Sequence, residues 1–178
     1  FPMKQRLQKI MNDPFVENLY ETSSELETIN EETSIIKFKM FSKDYYISFR
    51  IFSEDEAKSY NVRSDLVITK NTYVIDFDLI SNFNNDTHFS KPEITKTPRK
   101  FIFNLHYLFD FASKKHFSTY GGDLYLATPY GDDVGLLYTY LLRRYLCYKN
   151  RSFSVSYHES DFAFGGEMPY YEIRKQQH

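Results

Sequence analysis

The chain has 178 residues, of which 42% are hydrophobic and 26% charged, so it is long enough for one folded core and too apolar for a disordered segment. Its net charge of −2 gives no sign of the strongly basic surface that nucleic-acid-binding domains usually carry. A single cysteine, Cys147, excludes an internal disulfide, and no stretch approaches the roughly 20 apolar residues of a bilayer span. We therefore expect one cytoplasmic domain over residues 1–178, with no membrane association.

The first thirty residues have a helical pattern. Apolar side chains recur at helical spacing over residues 3–30, and Asp13-Pro14 predicts a break followed by a new helix start. The stretch from Glu25 to Glu32 is acidic, which predicts a surface position.

The next part of the chain alternates apolar and polar residues in the manner of strands. The pattern predicts two hairpins, formed by residues 34–41 with 44–52, and by residues 65–69 with 73–80. Ser53 followed by three acidic residues predicts a short helix that ends near Tyr60.

The second half begins with a polar stretch, residues 81–98, which predicts a long mobile loop. The apolar spacing that follows predicts helices over residues 99–115 and from Asp132 or Asp133 to about Tyr148, and strands over residues 123–128, 151–157, 161–165 and 169–174. Together these elements predict an α+β fold, an antiparallel or mixed sheet of about seven strands with helices packed on it.

Three acids in the second predicted hairpin could form a metal site. Asp76 and Asp78 share one face of their strand, and Asp65 lies on the partner strand. Asp65 followed by Asp76-Phe77-Asp78 resembles the motif of restriction-endonuclease-like nucleases, in which Pro-Asp and a strand precede an acid, any residue and Lys. The resemblance covers about sixteen residues and implies a metal-dependent nuclease or an inactive relative. Ser64 replaces the proline and Asp78 replaces the lysine, so Lys70 would have to approach the site.

Other catalytic signals are weak in this sequence. No two of the five histidines have zinc-ligand spacing with each other or with Cys147, and the two glycine doublets are isolated. His106 and Asp110, four residues apart on a helix, fit an ordinary surface pair. We therefore expect no cofactor and no structural metal. We also expect no catalytic residue other than those of the alternative nuclease hypothesis, which are Asp65, Lys70, Asp76 and Asp78.

A binding surface is the remaining possibility. Acids outnumber bases in residues 1–90 and bases outnumber acids in residues 91–178, which would orient a charged partner. The candidate contact residues are Glu27, Glu31, Glu32, Asp76, Asp78, Phe103 and Tyr107. Phe103 and Tyr107 share a helix side with charged residues, which is typical either of a protein-binding patch or of a second core layer.

These observations favour a non-catalytic protein-binding module. Its most concrete form is an immunity protein or phage-type inhibitor, which would occlude a basic nuclease-type toxin or a defence enzyme. The alternative is the nuclease, with Asp65, Asp76, Asp78 and Lys70 as its site. Magnesium or manganese stabilisation that is abolished by Asp76→Ala would favour the nuclease.

Overall fold

The fold is α+β, with helices packed on a mixed sheet. The computed structural model describes residues 20–22, 25–40, 43–59, 66–84, 98–127, 153–158 and 170–176. Within these ranges the helices are α1 (Glu54–Ser59), α2 (Ile80–Asn84) and α3 (Pro98–Tyr120). The strands are β1 (Tyr20–Thr22), β2 (Glu27–Thr28), β3 (Thr33–Met40), β4 (Lys43–Ile51), β5 (Thr72–Leu79), β6 (Leu124–Ala127), β7 (Phe153–His158) and β8 (Tyr170–Lys175).

The sheet has the strand order β1-β3-β4-β5-β6-β8-β7, and β2 pairs with β3 further along the edge that β1 occupies. All neighbours are antiparallel except β5 and β6, which are parallel. A parallel pair needs a long crossover, and the chain between these strands contains α2 and α3. The predicted sheet of about seven strands is confirmed as a mixed sheet.

One face of the sheet, here called the helical face, carries the larger core. Its strand residues alternate inward, and α3 contributes Leu108 and Ala112. Phe49 and Tyr125 lie fully buried at its centre. The buried strand residues are Ile36, Phe38, Tyr45, Ile47, Phe49, Tyr73, Ile75, Tyr125, Ala127, Phe153, Tyr171 and Ile173.

The other face, here called the opposite face, carries a second apolar cluster and a polar region. The apolar cluster consists of Phe52, Ala57, Leu66, Val74, Leu124, Leu126 and Tyr170. Beside it, Asp76 and Asp78 of β5 pair in register with Ser48 and Tyr46 of β4. A strand whose residues are buried on both faces belongs to the interior of a sheet, as β5 does.

The predicted helix over residues 3–30 is wrong where the structure describes it. Tyr20–Thr22 and Glu27–Thr28 are strands that pair with β3. Without them β3 would be an edge strand with unpaired backbone groups, and this pairing overrides the helical spacing. Residues 3–19, with the predicted break at Asp13, lie outside the described ranges.

The predicted second hairpin is also wrong. Residues 66–71 form no strand, and β5 is hydrogen-bonded to β4 and β6 instead. Both edges of β5 are therefore occupied. Thr69 and Thr72 close the turn before β5, because Thr72 N donates to Thr69 O at 3.1 Å and Thr69 N donates to Thr72 Oγ1 at 3.0 Å.

Most other predicted elements are confirmed. The first hairpin is β3 and β4, the helix after Ser53 is α1, and the three predicted strands near residues 124, 153 and 170 are present. Helix α3 begins at Pro98 and continues to Tyr120, beyond the predicted end. Part of the predicted 81–98 loop is helical, since α2 ends at Asn84. Residues 85–97, the predicted helix near 133–148 and the strand over 161–165 lie outside the described residues.

Among the described residues, no helix combines the length and the apolar character needed to cross a membrane.

Candidate functional site

The turn between β2 and β3 is ordered by its own hydrogen bonds. Ile29 N donates to Thr33 O at 2.9 Å, and Glu32 N donates to the Asn30 side-chain oxygen at 2.9 Å. Asparagine favours such turns because its side chain can accept from the backbone two residues ahead. The turn leaves Glu31 and Glu32 exposed.

Two further hydrogen bonds fix this turn to the rest of the fold. Ile51 N, at the end of β4, donates to Glu32 O at 2.9 Å. The hydroxyls of Thr28 and Tyr120 lie 3.1 Å apart, which joins β2 to the last residue of α3. Ile29 is 46% exposed and Tyr120 is 40% exposed beside the two glutamates. We call Ile29, Glu31, Glu32 and Tyr120 the acidic edge.

A pocket of about 100 Å³ lies between this turn and the end of α3. Acidic and aromatic residues both belong to its lining, which includes Glu31, Glu32, Ile51, Tyr73, His116 and Tyr120. These side chains come from the β2–β3 turn, β4, β5 and α3, so the pocket exists only in the folded chain.

His116 is fully buried in the wall of the pocket. Its ring stacks on Phe49 with centroids 4.3 Å apart, and its Nδ1 lies 3.0 Å from the Tyr125 hydroxyl. Its Nε2 has no hydrogen-bond partner. Burial lowers the pKa of His116 to about 4, so the ring is neutral at pH 7.

Two glycines follow α3, and the second of them leaves room for the Tyr125 ring. Gly121 has a φ of +67°, the left-handed conformation that commonly ends a helix, and its N–H donates to Phe117 O at 2.8 Å. A Cβ at Gly122 would overlap the ring and hydroxyl of Tyr125. The Tyr125 phenol, and through it His116, therefore depends on the missing side chain at Gly122.

We expect Gly122→Ala to lower the free energy of unfolding by about 1–3 kcal/mol, because the buried Tyr125 ring must shift. The matched control is Gly121→Ala, which has open space for a Cβ but a strained φ, with an expected cost of about 1–2 kcal/mol. Denaturant unfolding measures both costs. The NMR signals of the His116 ring should move strongly only in Gly122→Ala, and unchanged His116 signals there would contradict the proposed coupling.

Asp78 is bound to the neighbouring helix. Its Oδ1 accepts from Leu79 N at 2.7 Å and from Asn82 Nδ2 at 2.6 Å, and both Asp78 and Asn82 are buried. These bonds join the end of β5 to the side chain of Asn82 on α2.

Asp76 lies beside Asp78 on the opposite face and is partly buried. Burial raises the pKa of Asp76 to about 6, while Arg50 acts to lower it and the charges of Asp78 and Glu56 add to the rise. Arg50 itself donates to both carboxylate oxygens of Glu56, each at 2.8 Å. Because Arg50 is paired with Glu56, it balances the negative charge of the partly buried Asp76 only in part.

The residues of the alternative nuclease site are only partly described. Asp65 lies outside the described ranges, and Lys70 lies in the turn before β5, whereas Asp76 and Asp78 lie toward the other end of that strand. No three His, Cys, Asp or Glu side chains of the described residues are grouped as a metal site.

The predicted partner-binding residues fall into two regions. Glu31 and Glu32 lie on the acidic edge, while Glu27 forms a salt bridge with Lys37 at 2.7 Å. The register places Glu27 in one row with Ile35, Ser48 and Asp76, about three strand spacings or roughly 14 Å across the sheet from Asp76. Glu27 and Asp76 therefore share one row of the sheet without being in contact, and Glu31 and Glu32 lie in the turn after β2.

Phe103 and Tyr107 lie on α3, but their side chains are outside what the structure describes, so their role stays a prediction. Sequence reasoning missed Tyr73, His116 and Tyr120. The sequence signal for His116 was weak, because no second histidine or cysteine lies at a recognisable ligand spacing from it along the chain.

The chain matches no protein-family model, no curated protein and no solved structure. Its function is therefore inferred from its own side chains.

Proposed function

We propose that this chain is a non-catalytic protein-binding module that recognises a basic partner through its acidic edge. The observation that carries the proposal is the pairing of exposed apolar side chains with exposed glutamates where one ordered turn meets the end of α3. Ile29 and Tyr120 are large and exposed, and Glu31 and Glu32 lie beside them. Aromatic and aliphatic anchors within a charged surround are typical of protein interfaces.

The two kinds of side chain would act on different steps. Carboxylates attract a basic partner and raise the association rate, while buried anchors slow dissociation. The turn is held by main-chain hydrogen bonds to Thr33 and Ile51, so little ordering is needed when a partner binds. An ordered acidic edge therefore suits fast and specific binding.

In its most concrete form, the module is an immunity protein or phage-type inhibitor that occludes a toxin or a defence enzyme. Enzymes that act on nucleic acids carry basic sites, because they neutralise phosphates with lysine and arginine. A protein that presents carboxylates and an aromatic ring on one edge could cover such a site and exclude its substrate. Occlusion needs no catalytic residue in the inhibitor.

We expect the double variant Glu31→Lys, Glu32→Lys to slow partner association about tenfold or more at low salt. Both side chains are exposed, so the reversal should leave the fold intact. The partner would be captured on the immobilised wild-type protein from cells of its natural host. Stopped-flow mixing of the purified partner with each variant would then give the rates.

The matched control compares two single variants, Glu31→Lys and Asp44→Lys. Asp44 is exposed at the start of β4, near the hairpin turn and remote from the acidic edge, and its reversal changes the net charge by the same amount. Equal slowing by both variants would indicate a general charge effect and count against the edge. Cleavage of DNA or RNA by the purified protein with magnesium, abolished by Asp76→Asn, would instead support the nuclease.

A further inference from the structure

We propose that the pocket between the β2–β3 turn and the end of α3 receives the ammonium group of a lysine side chain. The lysine would belong to the basic protein partner, so its source rests on the proposed function. The charge and the ring geometry of the pocket support a cation whatever its source.

The lining of the pocket favours a cation. Glu31 and Glu32 contribute the only formal charges among the described residues that line it, since His116 is neutral at pH 7. Three aromatic rings meet there, with centroids 4.4 Å apart for Tyr73 and His116 and 4.9 Å apart for His116 and Tyr120. Aromatic ring faces attract ammonium groups, most strongly where water is excluded.

The free nitrogen of His116 would give the ammonium a hydrogen-bond acceptor once the Tyr120 ring beside it turns aside, because Nε2 is closed to solvent in the structure as it stands. Nε2 is buried and has no partner, which is costly for a polar atom and indicates that a polar group belongs beside it. An ammonium would select the tautomer in which Nδ1–H donates to the Tyr125 oxygen and Nε2 accepts. Its other two hydrogens could then be donated to Glu31 and Glu32.

The acceptors of the pocket, rather than its volume, favour lysine over arginine. A volume of about 100 Å³ has room for an ammonium group with its nearest methylenes and does not exclude a guanidinium. Guanidinium is planar and wider, and it favours carboxylates that accept in a fork. A compact group with three donors fits one buried nitrogen and two carboxylates better.

The test is an NMR titration of the full chain with N-acetyl-lysine N-methylamide, followed through the His116 ring signals. We expect a saturable shift with the lysine compound and at least about fivefold weaker binding to the Glu31→Gln, Glu32→Gln variant. The uncharged analogue N-acetyl-norleucine N-methylamide should bind at least about fivefold more weakly to the wild type. Equal shifts with the two compounds, or no shift of His116, would overturn the proposal.

A second titration identifies the source of the ammonium. Binding of n-butylammonium chloride without binding of the lysine compound would show a pocket for a free amine and overturn the lysine assignment. Neither titration uses the partner. If the lysine compound does not bind, the association rates of the partner still test the proposed function. If the variants bind the partner equally fast, the lysine titration still tests the pocket.

Discussion

Phe49→Ala should lower the free energy of unfolding by about 3–5 kcal/mol, the largest effect expected for a single substitution in the described sheet. Phe49 is fully buried on β4 at the centre of the helical face. Its ring stacks on His116 at 4.3 Å and meets Tyr125 edge-on at 5.9 Å. Alanine would leave a cavity that close-packed neighbours on β5, β6 and α3 fill only in part.

Denaturant unfolding of the wild type and the variant measures this cost. The matched control is Val67→Ala, a truncation of a side chain that is 68% exposed, which should change stability by less than about 0.5 kcal/mol. A cost under about 1 kcal/mol for Phe49→Ala would contradict its central position in the core.

Asp76→Asn should stabilise the protein at pH 7 by up to about 3 kcal/mol. The pKa of Asp76 rises from 3.8 to about 6 on folding, chiefly through burial, and each tenfold change in acidity is worth about 1.4 kcal/mol. Above pH 6 the folded protein holds a buried charge that the unfolded chain carries in water. Asparagine keeps the shape without the charge, and Arg50 keeps its two bonds to Glu56.

The effect has a defined pH window. Between about pH 4 and pH 6 the folded state binds the Asp76 proton more tightly than the unfolded state, so this group's contribution to stability falls as pH rises. The gain from Asp76→Asn should therefore be full above pH 6 and vanish below about pH 4. Thermal unfolding across this range tests it, with the exposed Asp55→Asn as control. A gain that is independent of pH would contradict the buried charge.

His116 affects the pH dependence of stability in the opposite direction to Asp76. Its pKa falls from 6.5 to about 4 on folding, so the unfolded chain binds the proton first, and stability is lost as pH falls from about 6.5 toward 4. In the wild type the two groups partly cancel over the shared range. The Asp76→Asn variant should therefore show a steeper loss of stability in acid than the wild type.

The alternating strands were predictable because each face of the sheet has its own environment. Tyr73, Ile75 and Phe77 were predicted on one face of their strand, and Tyr73 and Ile75 are buried on the helical face while Phe77 packs partly buried at its margin. Apolar and polar side chains alternate over Ile47–Ile51 of β4 and Ile75–Leu79 of β5, although both faces of these strands carry buried residues.

The pairing of strands was less predictable, because periodicity does not specify a partner. Residues 65–69 have strand-like composition, but β4 and β6 occupy both edges of β5. Tyr20–Thr22 and Glu27–Thr28 have helical spacing, yet β3 offers them an edge. In both cases long-range hydrogen bonding overrides the local pattern.

The candidate site was predicted in part. Glu31 and Glu32 were predicted from their charge, and they stay exposed because they lie on a turn. The pocket was not, because Tyr73, His116 and Tyr120 are far from the turn in sequence and meet it only through α3 and β5. Asp78 shows the reverse case, since its charge suggested a surface and its bonds to Leu79 and Asn82 bury it against α2.

The association rate of the captured partner, measured against salt concentration, is the most direct test of binding through the acidic edge. For the wild type the rate should fall steeply as salt rises, because screening weakens the attraction of Glu31 and Glu32 for a basic surface. For Glu31→Lys, Glu32→Lys the rate at low salt should be lower by about tenfold or more and should depend little on salt. The same rates and the same salt dependence for both proteins would contradict the proposed function.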